Sequence, residues 1–313
     1  VNVLNKLEYL RNLKNENEIG KIEWNNKQNV QMNILITNDD GFESKGIAVL
    51  TKMMKKYGNV AVIAPFSAQS GMSMAVSLGA EKIAFKEIES STFVGEDGLE
   101  HTERWAYLDA TPASCVKFAM STPWLGWKPD VIVSGINHGA NTSVASCYSG
   151  TLGATAEAAV NHILGIGVSL CDHNPDADFS QIEKYFPGIF EKLVELPRHS
   201  YMTYYNVNFP SVPADEIKGV RAGYMGRGRW IKEFRSLDEA EAIAASLNGA
   251  PTGDPSEKPA VKMYKLVGNF SSDTDNSADA DHLLTDNGYV SIVPHTIDST
   301  DYEQLKILSE VAF

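Results

Sequence analysis

From Met32 onward the sequence predicts an α/β fold, a mostly parallel β-sheet covered by helices on both faces. Two observations predict it. Short, continuous apolar runs recur along the chain, and most are followed by a segment with helical spacing. Strands buried on both faces read as unbroken apolar runs, and parallel strands need long crossovers between them.

The elements follow in order. Asn33–Thr37 is an apolar run of buried-strand length. Lys45–Tyr57 places Ile47, Leu50, Met53 and Met54 on one side of a helix that ends before Gly58. Val60–Ala64 is a second strand, closed by Pro65. Thr111-Pro112 pairs an N-cap with a first-turn proline and opens a helix to about Met120. Asp130–Ser134 is a third strand, Thr151–Ile163 an Ala-rich helix and Gly167–Leu170 a fourth strand. Phe179–Leu196 is helical and Tyr204–Phe209 is a fifth strand. The C-terminal third differs. Residues 236–258 are polar and loop-like, 271–281 are acidic and Ser-rich, and short strand-like pieces (Val261–Leu266, Tyr289–Val293) flank them. The division predicted is an N-terminal extension over 1–31, a core over about 32–215 and a β-rich C-terminal arm over about 216–313. The first 31 residues carry only a weak helical pattern (Leu4, Leu7, Leu10, Leu13), so Met32 reads as the start of the folded domain or of the native chain.

Composition bounds the function. The 313 residues carry a formal net charge of -13, which argues against duplex nucleic acid as a partner. A small anionic substrate remains compatible, because a bound cation reverses the local field. There is no run of about 18 apolar residues and no signal-peptide core, so neither membrane nor export is expected. Three cysteines (Cys115, Cys147, Cys171) without CxxC spacing fit a reducing compartment. The expectation is a cytoplasmic protein.

Four polar clusters could carry chemistry, three of them directly after strands, where open parallel sheets form their ligand crevice. In Thr37-Asn38-Asp39-Asp40-Gly41, adjacent carboxylates suit a hard divalent cation, and Gly41 permits a tight turn; a plain Asx turn fits as well. In Phe66-Ser67-Ala68-Gln69-Ser70-Gly71, Ser70 offers a weak oxygen ligand, and by itself the stretch reads as a polar loop. Ser134-Gly135-Ile136-Asn137-His138-Gly139-Ala140-Asn141 supplies amide oxygens and amide donors, or simply a glycine-rich turn. Tyr148-Ser149-Gly150-Thr151 opens the Ala-rich helix, where free N–H groups and the helix dipole favour phosphate; an ordinary Ser/Thr cap is the plainer reading. Together the clusters supply hard ligands and a phosphate cradle in one crevice.

These motifs, with Thr111-Pro112, Asn206-Val207-Asn208-Phe209-Pro210 and Gly288-Tyr289-Val290-Ser291-Ile292, resemble those of the SurE family of stationary-phase survival nucleotidases over about residues 32–300. The resemblance implies a Rossmann-like three-layer α/β/α core, with a C-terminal arm that helps form homodimers or homotetramers. It implies hydrolysis of nucleoside 5′- and 3′-monophosphates with one divalent ion per subunit, Mg²⁺ or Mn²⁺, and in some members shortening of polyphosphate. Carried over, Asp39, Asp40, Ser70 and Asn137 are the metal ligands, with Asp39, Asp40 and Asn137 as catalytic residues. Asn141 and the Ser149-Gly150-Thr151 turn contact the phosphate, and Asn38 and Gly41 line the site. Two departures stand out. The residues before Ser70 are Phe66-Ser67-Ala68-Gln69, where the family carries Asp-Arg-x-x, and Tyr107-Leu108-Asp109-Ala110 precedes Thr111-Pro112, where a glycine is commoner.

The nucleophile stays open between a water activated by the metal and direct attack by Asp39 or Asp40. His138 reads as loop filler or as a general acid, Cys147 as packing, and Trp124 and Trp127 as packing. Arg227, Arg229 and Trp230 read as a solvated turn, a subunit contact or a substrate contact. A haloacid-dehalogenase-type phosphatase would need Asp-x-Asp after the first strand, and a redox Rossmann enzyme would need GxGxxG there; the chain has NDDGFESKG. A non-catalytic nucleotide-binding stress module on the same fold is the alternative from another class.

Overall fold

The computed structural model describes residues 31–174, 176–198, 202–237 and 262–311. Nearly all of the expected N-terminal extension, and most of the loop at 236–258, lie outside the described residues.

Met32–Thr37 forms β1, Gly58–Pro65 β2, Phe85–Val94 β3, Glu100–Leu108 β4, Val131–His138 β5, Leu164–Leu170 β6, Thr203–Phe209 β7 and Val220–Ala222 β8. The helices are Lys45–Met54 (α1), Pro112–Ser121 (α2), Gly150–Val160 (α3) and Ser180–Glu195 (α4). Further on come β9 (Gly228–Ile231), β10 (Phe234–Ser236), β11 (Tyr264–Leu266), β12 (Asn269–Ser272), α5 (Asp281–Asp286), β13 (Val290–Thr296) and α6 (Tyr302–Ser309). Helix starts are locally encoded. Ser44, Thr111 and Ser149 each accept a backbone N–H as N-cap, and Pro112 occupies the first turn of α2.

The main sheet has the order β3-β4-β2-β1-β5-β6-β7-β13-β8. Its central pairs, from β4 through β7, are all parallel. The alternation of side chains along β1 explains the two-sided burial. Ile34 and Ile36 join the core formed with Ile47 and Leu50 of α1 and Phe186 and Phe190 of α4. Leu35 faces the other way, into the core formed with Cys115 and Val116 of α2 and Ala154 and Ala158 of α3. Burying one such aliphatic side chain contributes about 1.5–3 kcal/mol, so β1 is held from both faces.

The structure departs from the sequence reading in three places. The antiparallel hairpin β3–β4 was not expected; β3 is an edge strand exposed along almost its whole length, so it lacks an apolar signature. The third strand does not end at Ser134 but runs on to His138, with a register shift against β6 between Ser134 and Asn137. Gly135 makes that shift sterically feasible. Its φ is +141°, and a Cβ there would lie 2.3 Å from the Val168 carbonyl oxygen. Finally, the boundary at 215/216 does not coincide with the compact units, which are residues 1–225 with 278–313, and Gly226–Ser277. Residues assigned to the arm supply β8 and β13. β13 pairs antiparallel with β7, and Val290 and Val293 on it are buried, so it belongs to the main sheet.

The Gly226–Ser277 unit contains two antiparallel pairs, β9 with β12 and β10 with β11. Within it Trp230 packs edge-on against Phe270, and Arg227 pairs with Asp275 at 2.9 Å. Among the described residues no helix is long and apolar enough to cross a membrane.

Candidate active site

The chain turns one way from β1 to β2 and the other way to reach β5, so the sheet order reverses between β1 and β5. That switch point opens a crevice at the carboxyl ends of the two strands, and the first and third clusters sit there.

The Asn38 side chain is fully buried and spent on shaping the first loop. Its Nδ2 donates to the Gly41 carbonyl (2.9 Å) and to Ser44 Oγ (2.7 Å), and its Oδ1 accepts the Gly41 N–H at 3.2 Å. Gly41 completes the turn with φ +99°. Asn38 therefore lines the site from behind, as a brace.

Asp39 is 3% exposed. Thr151 Oγ1 donates to its Oδ1 at 2.5 Å, and a Cβ on Gly150 would lie 3.0 Å from its Oδ2. The carboxylate thus sits at the N-terminal end of α3. Burial pushes its pKa up to about 6; the Thr151 hydrogen bonds oppose the rise and the Asp40 charge adds to it. Among the described residues no lysine or arginine pairs with it. Asp40 accepts from the His138 backbone N–H (3.1 Å) and contacts His138 Nδ1 (3.2 Å), while the His138 ring stands edge-on to Phe179. His138 braces Asp40, and among the described residues its Nε2 has no hydrogen-bond partner.

The second cluster is tied to the same point. The Gln69 N–H donates to the Asp39 carbonyl at 2.7 Å, which brings the stretch leading to Ser70, itself exposed, against the first loop. Beyond Gly71 the loop crosses α3. The Ser73 N–H donates to the Tyr148 carbonyl (2.9 Å) and Ser73 Oγ to that of Cys147 (2.8 Å). Asn137 Nδ2 donates to the Gly139 carbonyl (2.7 Å), which leaves its amide oxygen for another partner. Ser149 caps Leu152 N–H with its oxygen, so its hydroxyl hydrogen remains for a ligand.

Asn141 is held deeper than its expected phosphate role suggests. Its Nδ2 donates to Ser169 Oγ (2.9 Å), its N–H to Asn208 Oδ1 (2.8 Å), and its carbonyl accepts from Asn206 Nδ2 (2.8 Å). Asn208 Nδ2 closes the network on Asn206 Oδ1 at 2.8 Å. Asn206 and Asn208 are fully buried on β7. Their signal in the sequence is two amides two apart in an apolar strand, which places both on one face. Asn206→Ala strips partners from two buried groups, and we expect a loss of about 2–3 kcal/mol, read as a lowered Tm with metal-independent magnitude.

The donor set fits a hard cation. Among the described residues no group of three His, Cys, Asp or Glu is arranged to hold a metal ion. Two carboxylates with hydroxyl and amide oxygens are what Mg²⁺ or Mn²⁺ accepts, with water and substrate oxygens completing the shell. The buried, cation-poor surroundings of Asp39 beside Asp40 supply the electrostatic demand for such an ion.

A sequence profile described as survival protein SurE matches residues 34–232. The chain belongs to the survival protein SurE family. The 5′-nucleotidase SurE of Cytophaga hutchinsonii is 36% identical over 272 residues, 87% of this chain and 93% of that protein. That of Christiangramia forsetii is 35% identical over 88% of this chain and 95% of its own. The crystal structure of the SurE protein from Aquifex aeolicus superposes with a TM-score of 0.66 at 26% identity, covering 88% of this chain and 98% of that one. The SurE α/β fold read from the sequence is therefore the fold observed.

Proposed function

We propose that this SurE chain is a divalent-cation-dependent phosphomonoesterase that hydrolyses nucleoside 5′- and 3′-monophosphates to nucleoside and phosphate. The observation that carries the proposal is the buried Asp39 carboxylate, set beside Asp40 at the switch point and against the N-terminus of α3. The relatives named 5′-nucleotidase support the substrate class.

Asp39, Asp40, Ser70 and Asn137 would hold one Mg²⁺ or Mn²⁺. When bound, such an ion supplies Lewis-acid neutralisation of charge on the phosphoryl oxygens. The chain's own groups do the rest. The Ser149 hydroxyl and the Gly150 N–H at the start of α3 bind phosphoryl oxygens, since the Thr151, Leu152 and Gly153 N–H groups already have partners. Asn38 and Gly41 fix the loop that carries both carboxylates. Thr151 and His138 orient Asp39 and Asp40, one each. The second amide hydrogen of Asn141 is the one a phosphate would meet. In the reaction a water oxygen bonds to phosphorus, the P–O bond to the ribose breaks, and the leaving oxygen takes a proton to become the nucleoside hydroxyl.

The test is phosphate release from a panel of nucleoside 5′- and 3′-monophosphates and polyphosphate, with EDTA or with Mg²⁺ or Mn²⁺. Cation-dependent release from nucleotides supports the reading. Tight nucleotide binding with no release under any cation would replace it with a binding module. Thr151→Val tests the orienting role. We expect cation affinity to fall about 10–100-fold, the usual cost of losing the partner that orients a ligand, with the fold retained by circular dichroism. Subunit association through the C-terminal region belongs to the same proposal, checked by sedimentation.

A further inference from the structure

One departure from the SurE motif pattern, at Phe66, meets two further aromatic rings. Phe66 follows β2, Tyr107 lies near the end of β4, and Phe42 follows Gly41. Their rings form one cluster. Phe42 and Phe66 have centroids 5.9 Å apart at 22°, and Tyr107 stands 5.0 Å from each. Packing behind Phe66 is secured by its backbone N–H, which donates to the Leu108 carbonyl at 3.0 Å, and by the Phe42 N–H, which donates to the Pro65 carbonyl at 3.0 Å. Yet Phe66 remains 52% exposed, although a large apolar ring gains by leaving water.

The cluster is continuous with the catalytic crevice. Phe42 lies three positions after Asp39, and Phe66 three positions before Gln69, whose N–H holds the Asp39 carbonyl. A Cβ on Gly41 would lie 3.5 Å from the Ala68 nitrogen, so the two loops touch. The two touching loops therefore carry a polar group, the carboxylates beside a helix N-terminus, and an aromatic one. A nucleoside monophosphate has the same polarity, a charged phosphate at one end and a flat π-face at the other.

We infer that Phe66, backed by Phe42 and Tyr107, is the platform on which the substrate's nucleobase stacks, and that it sets preference for nucleotides over base-free phosphate esters. Stacking asks only for a π-face, so purines and pyrimidines are both accepted, and the larger purine ring gains more. The inference rests on the proposed nucleotidase reading and specifies which residues meet the base.

The experiment compares kcat/KM for AMP and for ribose 5-phosphate in wild type, Phe66→Ser and Phe66→Trp. The expected result is an AMP to ribose 5-phosphate ratio about tenfold lower in Phe66→Ser and restored in Phe66→Trp, with the change in KM. An unchanged ratio overturns the platform. So does an altered sedimentation coefficient of Phe66→Ser with unchanged ratio, which would make Phe66 a subunit contact. A second readout keeps the inference separate from the nucleotidase reading. Should wild type release no phosphate from either ester, quenching of 2-aminopurine riboside 5′-monophosphate fluorescence by wild type and by Phe66→Trp, but not by Phe66→Ser, still supports the platform. Equal quenching by all three rejects it.

Discussion

Asp39→Asn abolishes turnover and, without cation, makes the protein more stable at pH 8. The two effects share one cause. The folded-state pKa of Asp39 is raised from 3.8 to about 6, mainly by burial. A raised carboxyl pKa favours the folded state fully below pH 3.8, and that advantage is lost as pH rises through about 6. A permanently neutral asparagine of the same shape avoids the loss and still accepts from Thr151. The gap corresponds to up to about 3 kcal/mol at pH 8, reduced by whatever water reaches the crevice. Calorimetry in EDTA should show Tm values that agree at pH 4 and separate by several degrees at pH 8, with the variant higher. Saturating Mg²⁺ or Mn²⁺ reverses the order, because only wild type gains the binding free energy. Catalysis falls by at least about 10²-fold, as for loss of a group aimed at developing charge. A wild type more stable than the variant in EDTA at pH 8 would mean that Asp39 has a counter-charge.

Gly153→Ala is the second large effect, and intrinsic propensity predicts the wrong sign. Alanine in the middle of a helix is worth about 1 kcal/mol over glycine. Here, however, the new Cβ would lie 1.8 Å from the Ser73 carbonyl oxygen and 2.6 Å from its carbon, both backbone atoms. The loop after Gly71 must lift off α3 and breaks the hydrogen bonds of Ser73 to Tyr148 and Cys147. Overpacking costs about 1–3 kcal/mol, so the Tm drops only modestly. We expect the larger loss in cation affinity, because the displaced loop carries Ser70, a proposed cation ligand. Titration calorimetry checks it: an unchanged cation Kd would separate Ser70 from the site.

The central strands and helices were legible because burial on both faces of the sheet leaves continuous apolar runs such as Ile34–Ile36 and Val131–Val133. β3 was not legible, since an exposed edge strand has no core to write into its sequence. β13 was legible as a strand, but its partner was not. Nothing in Val290–Thr296 states that it pairs with β7 across some 80 intervening residues. Within the site, Asp39 and Asp40 were marked by adjacency, but their different fates were invisible. Only the fold brings Thr151 to one and His138 to the other. The same holds for Asn141, whose donors are drawn inward by Ser169 and Asn208 and whose carbonyl accepts from Asn206, all on other strands. The aromatic cluster escaped notice because Phe42, Phe66 and Tyr107 come from three separate loops and strands.

The most direct test of the account is a titration of EDTA-stripped protein with Mn²⁺, following heat of binding and AMP hydrolysis in the same samples, for wild type and Asp39→Asn. Wild type is expected to take up one ion per subunit, with turnover rising in step with occupancy, while the variant shows neither. Full turnover in stripped wild type, or equal Mn²⁺ binding by both proteins, would contradict a cation held by Asp39.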